Sequence, residues 1–137
     1  MWDDLEEYIE NLSNDYSSKN NRKTKIVEIG VGKFQTISDH LRENENIELI
    51  MTDIDPANEN VVKDDVFNPN MDIYKGADII FSIRPPGEIQ EAIMKIRDEI
   101  DCTLIIKPLF NEDLNIKAKG MKLKNYNRAS FYIYQKE

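Results

Sequence analysis

The chain has few of the residues from which many kinds of site are built. Its 137 residues include one cysteine (Cys102), one histidine (His40) and one tryptophan (Trp2). A lone cysteine excludes a disulfide within the chain and any cysteine-based metal cluster. No metal-ligand spacing and no nucleophile–base pair is found in the sequence. Long apolar runs are missing too: none approaches the roughly 20 residues that cross a bilayer. The opening Met1-Trp2-Asp3-Asp4 is acidic where a signal peptide would be basic, so the expectation is a cytoplasmic protein with no membrane contact. Bases are also in deficit. Lys and Arg number 18 against 26 Asp and Glu, a net charge of −8, which argues against broad binding along a phosphate backbone.

The remaining composition, 40% hydrophobic and 32% charged, suits a folded domain with a charged exterior. The length fits one domain, residues 1–137, able to bury about two-thirds of its unfolded surface. Trp2, Leu5, Ile9, Leu12 and Tyr16 recur at steps of three and four, which predicts an amphipathic helix over residues 1–18. Residues 17–24 read as a polar connection.

Ile26–Ile29, Ile47–Thr52, Val61–Val62, Asp78–Ile83 and Thr103–Ile106 read as strands. Helical spacing separates several of them: Phe34, Ile37 and Leu41, then Ile89, Ile93, Ile96 and Ile100. The strands are near-continuous apolar runs, as in a parallel sheet covered on both faces. From residue 119 to 135 the pattern changes to a β-hairpin, aromatic and β-branched around Asn127-Arg128. The expected fold is therefore α/β and doubly wound. Its sheet is mainly parallel, with helices on both faces and a C-terminal antiparallel hairpin.

Charge is unevenly spread. Residues 1–15 carry six acids and no base, and residues 115–137 carry six bases and one acid. These are either two solvated faces of opposite sign or, at the basic hairpin around Lys122, Lys124, Tyr126 and Arg128, a surface for RNA or a protein partner. Charge on an edge strand also guards against unwanted strand pairing.

In a doubly wound sheet, ligands bind beyond the carboxyl ends of the strands where the strand order reverses. After the first strand comes Glu28-Ile29-Gly30-Val31-Gly32, where glycines allow a tight turn and close backbone approach, and the following helix would offer free N–H groups to an anion. After the second comes Asp53, 23 residues beyond Gly30, near the offset at which an acid accepts hydrogen bonds from ribose hydroxyls. After the third comes Asp64-Asp65-Val66-Phe67, an acid beside apolar residues that could read and pack an adenine. Each has a plainer reading: a strand-to-helix turn for the glycines, a cap or loop acid for Asp53, a solvated acid for Asp65. Three such elements after consecutive strands point to a nucleotide-type ligand.

Glu28-Ile29-Gly30-Val31-Gly32, Asp53, Asp65 and the fourth-strand exit Ser82-Ile83-Arg84-Pro85-Pro86 resemble the ordered motifs of class I S-adenosylmethionine-dependent methyltransferases. The C-terminal hairpin is similar to the end of the methyltransferase sheet rather than to dinucleotide dehydrogenases. More narrowly, Val27-Glu28-Ile29-Gly30, Ser82-Ile83-Arg84-Pro85-Pro86 and Met121-Lys122-Leu123-Lys124-Asn125-Tyr126 resemble a family of small uncharacterised archaeal proteins with this fold.

The resemblance implies S-adenosylmethionine as cofactor. It implies Glu28, Gly30 and Gly32 around the methionine end, Asp53 at the ribose, and Asp65 with Val66 at the adenine. Ser82, Arg84, Pro85 and Pro86 would face the methyl group and the acceptor, with Ser82 and Arg84 the catalytic candidates. Two departures stand out. The third glycine of the loop is Phe34 in methyltransferase spacing and Gln35 in dehydrogenase spacing, and Arg84 stands where amino-group methyltransferases place an acid or amide. Arginine cannot accept a hydrogen bond from an amine, but it suits a substrate carboxylate or phosphate.

Lys107, leaving the fifth strand, is either substrate-facing or an exposed turn residue. His40 reads as a surface or packing residue, and Cys102 as a buried inert thiol. The functional expectation is an S-adenosylmethionine-binding, methyltransferase-like protein. The alternatives are a non-catalytic binding or scaffold protein and an NAD-type nucleotide-binding domain.

Overall fold

Strands covered on both faces are mostly apolar, and two strands here, β4 (Ile79–Ile83) and β5 (Thr103–Lys107), are buried at every position. The computed structural model describes residues 2–108 and 120–136, and expectations that fall on residues 1, 109–119 or 137 lie outside the described residues. The other elements are α1 (Trp2–Asn20), β1 (Thr24–Ile29), α2 (Thr36–Arg42), β2 (Ile47–Asp53), β3 (Val61–Lys63), α3 (Met71–Tyr74), α4 (Gly87–Ile100), β6 (Lys122–Tyr126) and β7 (Ala129–Tyr134).

The seven strands among the described residues form one sheet in the order β3-β2-β1-β4-β5-β7-β6. β1 pairs in parallel with β2 and β4, β2 with β3, and β4 with β5. β7 then enters antiparallel between β5 and β6. This is the doubly wound α/β sheet that the apolar runs imply, with the hairpin's second strand on the inside and its first on the edge. Asn127, the first residue of the two-residue turn, has φ 53, a left-handed backbone that asparagine tolerates better than most residues.

Side chains alternate across the pleat, so each strand feeds two cores. One face gathers Ile26, Ile79, Phe81, Ile83, Ile105, Phe131 and Ile133 beneath α1 and α2. The other gathers Val27, Ile29, Ile80, Leu104 and Ile106 against α4 and Tyr74 of α3. Each α-helix presents one apolar stripe to its core: Leu5, Ile9 and Leu12 in α1, and Ile93 and Ile96 in α4.

Two local expectations are corrected. The polar stretch 17–24 is mostly not a connection, because α1 runs on to Asn20 and β1 begins at Thr24. No Gly or Pro interrupts Ser17–Asn20. The helix stops where Asn21 turns to φ 52, and Thr24 is buried, its hydroxyl donating to the Ser13 carbonyl at 2.6 Å. Lys107 is not an exposed turn residue either. It is the last residue of β5, 8% exposed, and its ammonium donates to the Ser130 carbonyl at 2.7 Å. The inserted β7 covers it.

The acidic helix α1 and the basic hairpin pack side by side. The Tyr126 hydroxyl donates to Glu7, the Arg128 N–H donates to Asp4, and the Lys124 ammonium lies 5.7 Å from the Tyr8 ring centroid. Beneath them the Tyr8 ring sits 5.0 Å from that of Phe131, which is fully buried. α1 is thereby clamped to the hairpin by an aromatic contact with a rim of polar contacts. Truncating Phe131 to alanine opens a cavity under this clamp, and the expected cost is about 3–5 kcal/mol, read as a lower urea midpoint. A loss below about 1 kcal/mol, the level of a surface change, would mean that the clamp does not hold α1.

Candidate functional site

The strand order reverses between β1 and β4: the chain steps outward from β1 to β2 and β3 on one side, and from β4 to β5 on the other. Their connections leave in opposite directions, so the carboxyl ends of β1 and β4 border a crevice. The segments that reach it are the loop after β1 (residues 30–35), the exit of β2 at Asp53, the segment after β3 (residues 64–67) and the exit of β4 at Arg84.

The β1 ladder continues past the strand end, since the N–H groups of Gly30 and Val31 both donate to the Thr52 carbonyl. The chain then bends at Gly30 (φ 69) and Gly32 (φ 58), values that L side chains rarely adopt. A Cβ at Gly32 would meet nothing within 4 Å. What requires glycine there is backbone conformation rather than space.

Asp53 turns back onto this bend. One carboxylate oxygen accepts the Gly32 N–H at 2.8 Å and the other accepts the Asp55 N–H at 2.9 Å. The glycine bend and the β2 acid are therefore in direct contact, and Asp53 remains partly exposed. Each oxygen keeps a second lone pair for an O–H donor.

Of the two acids after β3, Asp64 is buried and structural: it accepts the Tyr74 hydroxyl at 2.6 Å and the Asn70 N–H at 2.9 Å. Asp65 is exposed, with one oxygen closing a turn onto the Phe67 N–H and the other directed at no described partner. Flanking these acids, Ile54 is 57% and Phe67 65% exposed. Apolar side chains standing in water beside two acids suit the faces of a planar ring. Ile54 is not singled out by sequence reasoning. Its signal is an apolar residue directly after the β2 acid, outside any helical or strand period.

Several residues expected to touch a ligand do other work. Glu28 is 1% exposed and faces α2, where the Ser38 hydroxyl donates to it at 2.5 Å. It braces β1 against α2 beneath the loop instead of meeting a methionine group. Burial pushes its carboxyl up to about 8, against the opposing pull of the Ser38 bond, which favours the protonated form near neutral pH. Ser82 is equally buried and donates to the Ile29 carbonyl at 2.7 Å, joining β4 to β1. That removes it as a catalytic candidate facing an acceptor. The Val66 side chain packs towards the core under α4, and Lys107 is held by Ser130 as described above. Pro85 is buried, while Pro86 is exposed and caps α4.

The free N–H groups expected at the next helix are not at the bend, because α2 starts only at Thr36. Phe34 leaves the hollow at Gly30–Gly32 and packs on Trp2, ring centroids 4.8 Å apart. Arg84 is exposed, with its guanidinium over both rings.

His40 is exposed on α2, 2.8 Å from Glu6, whose carboxylate raises its pKa. The Cys102 thiol is buried and pushed up to about 12 by that burial, so it is inert as a nucleophile. Among the described residues no three His, Cys, Asp or Glu side chains are grouped to hold a metal ion, and no helix is long and apolar enough to cross a membrane.

The profile described as "Uncharacterised protein family (UPF0146)" matches residues 9–136. The chain belongs to this family. A UPF0146 protein of the archaeon Methanothermobacter thermautotrophicus is 43% identical over 134 residues, covering 98% of this chain and 95% of its own. Among solved structures, the antibiotic-resistance methyltransferase Kmr superposes with a TM-score of 0.55 at 8% identity, over 85% of this chain and 88% of that one. An S-adenosyl-L-methionine methyl transferase from Silicibacter pomeroyi gives 0.53 at 10% identity, over 91% and 89%. At such identities the likeness is one of fold: this UPF0146 chain has the Rossmann-like fold of class I methyltransferases.

The buried Glu28 carries a pH signature. Its folded pKa, about 8, lies above its ordinary value of 4.5, so the folded state holds the proton more tightly than the unfolded one. Stability from this group is complete below pH 4.5 and is lost as pH rises to about 8, on the order of 4 kcal/mol across the window. Glu28→Gln stays neutral throughout. Melting curves from pH 5 to 8 should fall for the native chain relative to the variant, whereas parallel pH profiles would mean that Glu28 is folded in its charged form.

Proposed function

We propose that this UPF0146 protein binds S-adenosylmethionine at the shelf between the Gly30–Gly32 bend and Asp53. The observation that carries the reading is the contact of the Asp53 carboxylate with the Gly32 N–H, which brings an acid with spare lone pairs to the edge of a glycine bend at the sheet's reversal point.

The donor set fits the cofactor. Asp53 accepts the ribose hydroxyls. Asp65 has one carboxylate oxygen left for the adenine amino group, and Ile54 and Phe67 offer apolar surface to the ring faces. Gly30 and Gly32 keep the approach to the methionine portion free of side chains. Bound there, the cofactor supplies a methyl group activated on a sulfonium. The chain's own part is positioning: Arg84, Trp2 and Phe34 stand at the β4 exit, where an acceptor would lie. Holding two reactants in line can supply about 7–11 kcal/mol, and such a transfer needs no strong acid or base from the protein. Antiparallel β7 favours this reading over an NAD-type site, whose usual sheet order has no such insertion.

One observation favours the alternative, a binding or scaffold protein without turnover. Asp53 and Asp65, Ile54, Gly32 and Phe67 are all exposed or partly exposed, and an open shelf excludes little water. Calorimetry tests whether the cofactor binds at all. S-adenosylhomocysteine should bind the native chain, and Asp53→Ala should weaken it roughly ten- to a hundredfold, the worth of charge-assisted hydrogen bonds. No heat at millimolar ligand would retire the cofactor reading and leave the scaffold one.

A further inference from the structure

Trp2, Phe34 and Arg84 come from three separate parts of the chain and meet at the β4 exit. Trp2 lies in the first turn of α1, Phe34 in the loop after β1, and Arg84 directly after β4. The two rings are tilted by 45°. The guanidinium carbon of Arg84 lies 5.4 Å from the Trp2 centroid and 5.8 Å from that of Phe34, within cation–π range of both. The guanidinium lies over the rings, and no side-chain hydrogen bond from it is found among the described residues, so its N–H groups remain for an acceptor. In a chain of net charge −8, a cation would be expected to find a carboxylate. Among the described residues no ion pair includes Arg84. Of the two acids at the neighbouring strand ends, Glu28 is buried against Ser38 beneath the loop, and Asp53 accepts the backbone amides of Gly32 and Asp55.

The backbone adds a second observation. Arg84 has φ 53, a left-handed conformation that suits glycine and is costly for a long side chain. Its N–H donates to the Lys107 carbonyl at 2.6 Å, and the buried Pro85 follows, so the conformation is fixed from both sides. Backbone chemistry alone would select glycine at this position. The arginine is explained by what its side chain does in solvent.

The geometry points to a receptor for a small planar carboxylate, held by two parallel N–H···O bonds from Arg84 with its apolar body against Trp2 and Phe34. The chain's overall negative field disfavours polyanions but leaves a singly charged group accessible. This rests on the cofactor reading only in making the carboxylate part of the methyl acceptor; the anion site itself does not depend on it.

Trp2 is the sole tryptophan, so its fluorescence reports on the site. The full chain is titrated with benzoate and, separately, with inorganic phosphate, with and without S-adenosylhomocysteine. Benzoate should shift Trp2 emission saturably and more tightly than phosphate, and R84Q and R84G should bind it roughly tenfold or more weakly. Because glycine relieves the left-handed backbone, R84G stays folded and its loss reports on the guanidinium alone. A native chain with no saturable benzoate response, or R84G binding like the native chain, overturns the proposal, and tighter phosphate binding overturns the choice of carboxylate. Benzoate binding without heat from S-adenosylhomocysteine keeps this site and retires the cofactor reading; the reverse result does the opposite.

Discussion

The structure turns on β1, which is the inner strand on which the two halves of the sheet diverge. It is hydrogen-bonded on both sides, by β2 and β4, so its backbone has no freedom to shift, and its side chains feed both cores. Its carboxyl end is where the chain must change direction with the least room. Gly30 and Gly32 make the change possible, and the Thr52 carbonyl and the Asp53 carboxylate catch the amides it exposes. The candidate site is this solution to a backbone problem, seen from the solvent side. The same hydrogen bond that stabilises the bend holds Asp53 where a hydroxyl-bearing ligand can reach it.

What could be read from the sequence and what could not divide along a physical line. Two-sided burial writes itself into every residue of a strand, so Ile79–Ile83 and Thr103–Ile106 are legible, and with them the parallel sheet. Glycines and an acid that follow strands are legible because the fold brings all strand ends to one edge. Side-chain direction is less legible. Glu28 and Ser82 lie at the correct end of their strands but face α2 and the Ile29 carbonyl, since a residue at a strand end can serve the sheet as easily as the crevice. Contacts distant in sequence are least legible. Nothing local in Lys107 says that β7 will cover it, and nothing in Trp2 says that it will stand beside Phe34.

The distribution of charge follows from the same geometry. The acidic face of α1 is not a separate surface, because the hairpin closes against it through Glu7 and Asp4. Under the loop, burial favours the protonated form of Glu28 and so reduces the negative charge of the strand-end region. Beside the glycine bend, the Asp53 carboxylate is stabilised by two backbone amides instead of a cation. Each device settles an anion without using arginine or lysine, so the guanidinium of Arg84 is left without a carboxylate partner among the described residues.

Arg84 is then the place where local and global preferences conflict. A left-handed backbone favours glycine, a net negative chain favours pairing its cations, and an exposed position favours an unconstrained side chain. Arg84 goes against all three, while its guanidinium lies over two rings from different elements. Residues that break local rules without serving the core are expected where a fold meets a ligand. The contrast with Asn21, Asp101 and Asn127 sharpens the point. Each of those also has positive φ, but each is a short polar residue ending a helix or turning a hairpin, which its own chemistry explains. For Arg84 the described residues offer no such local explanation.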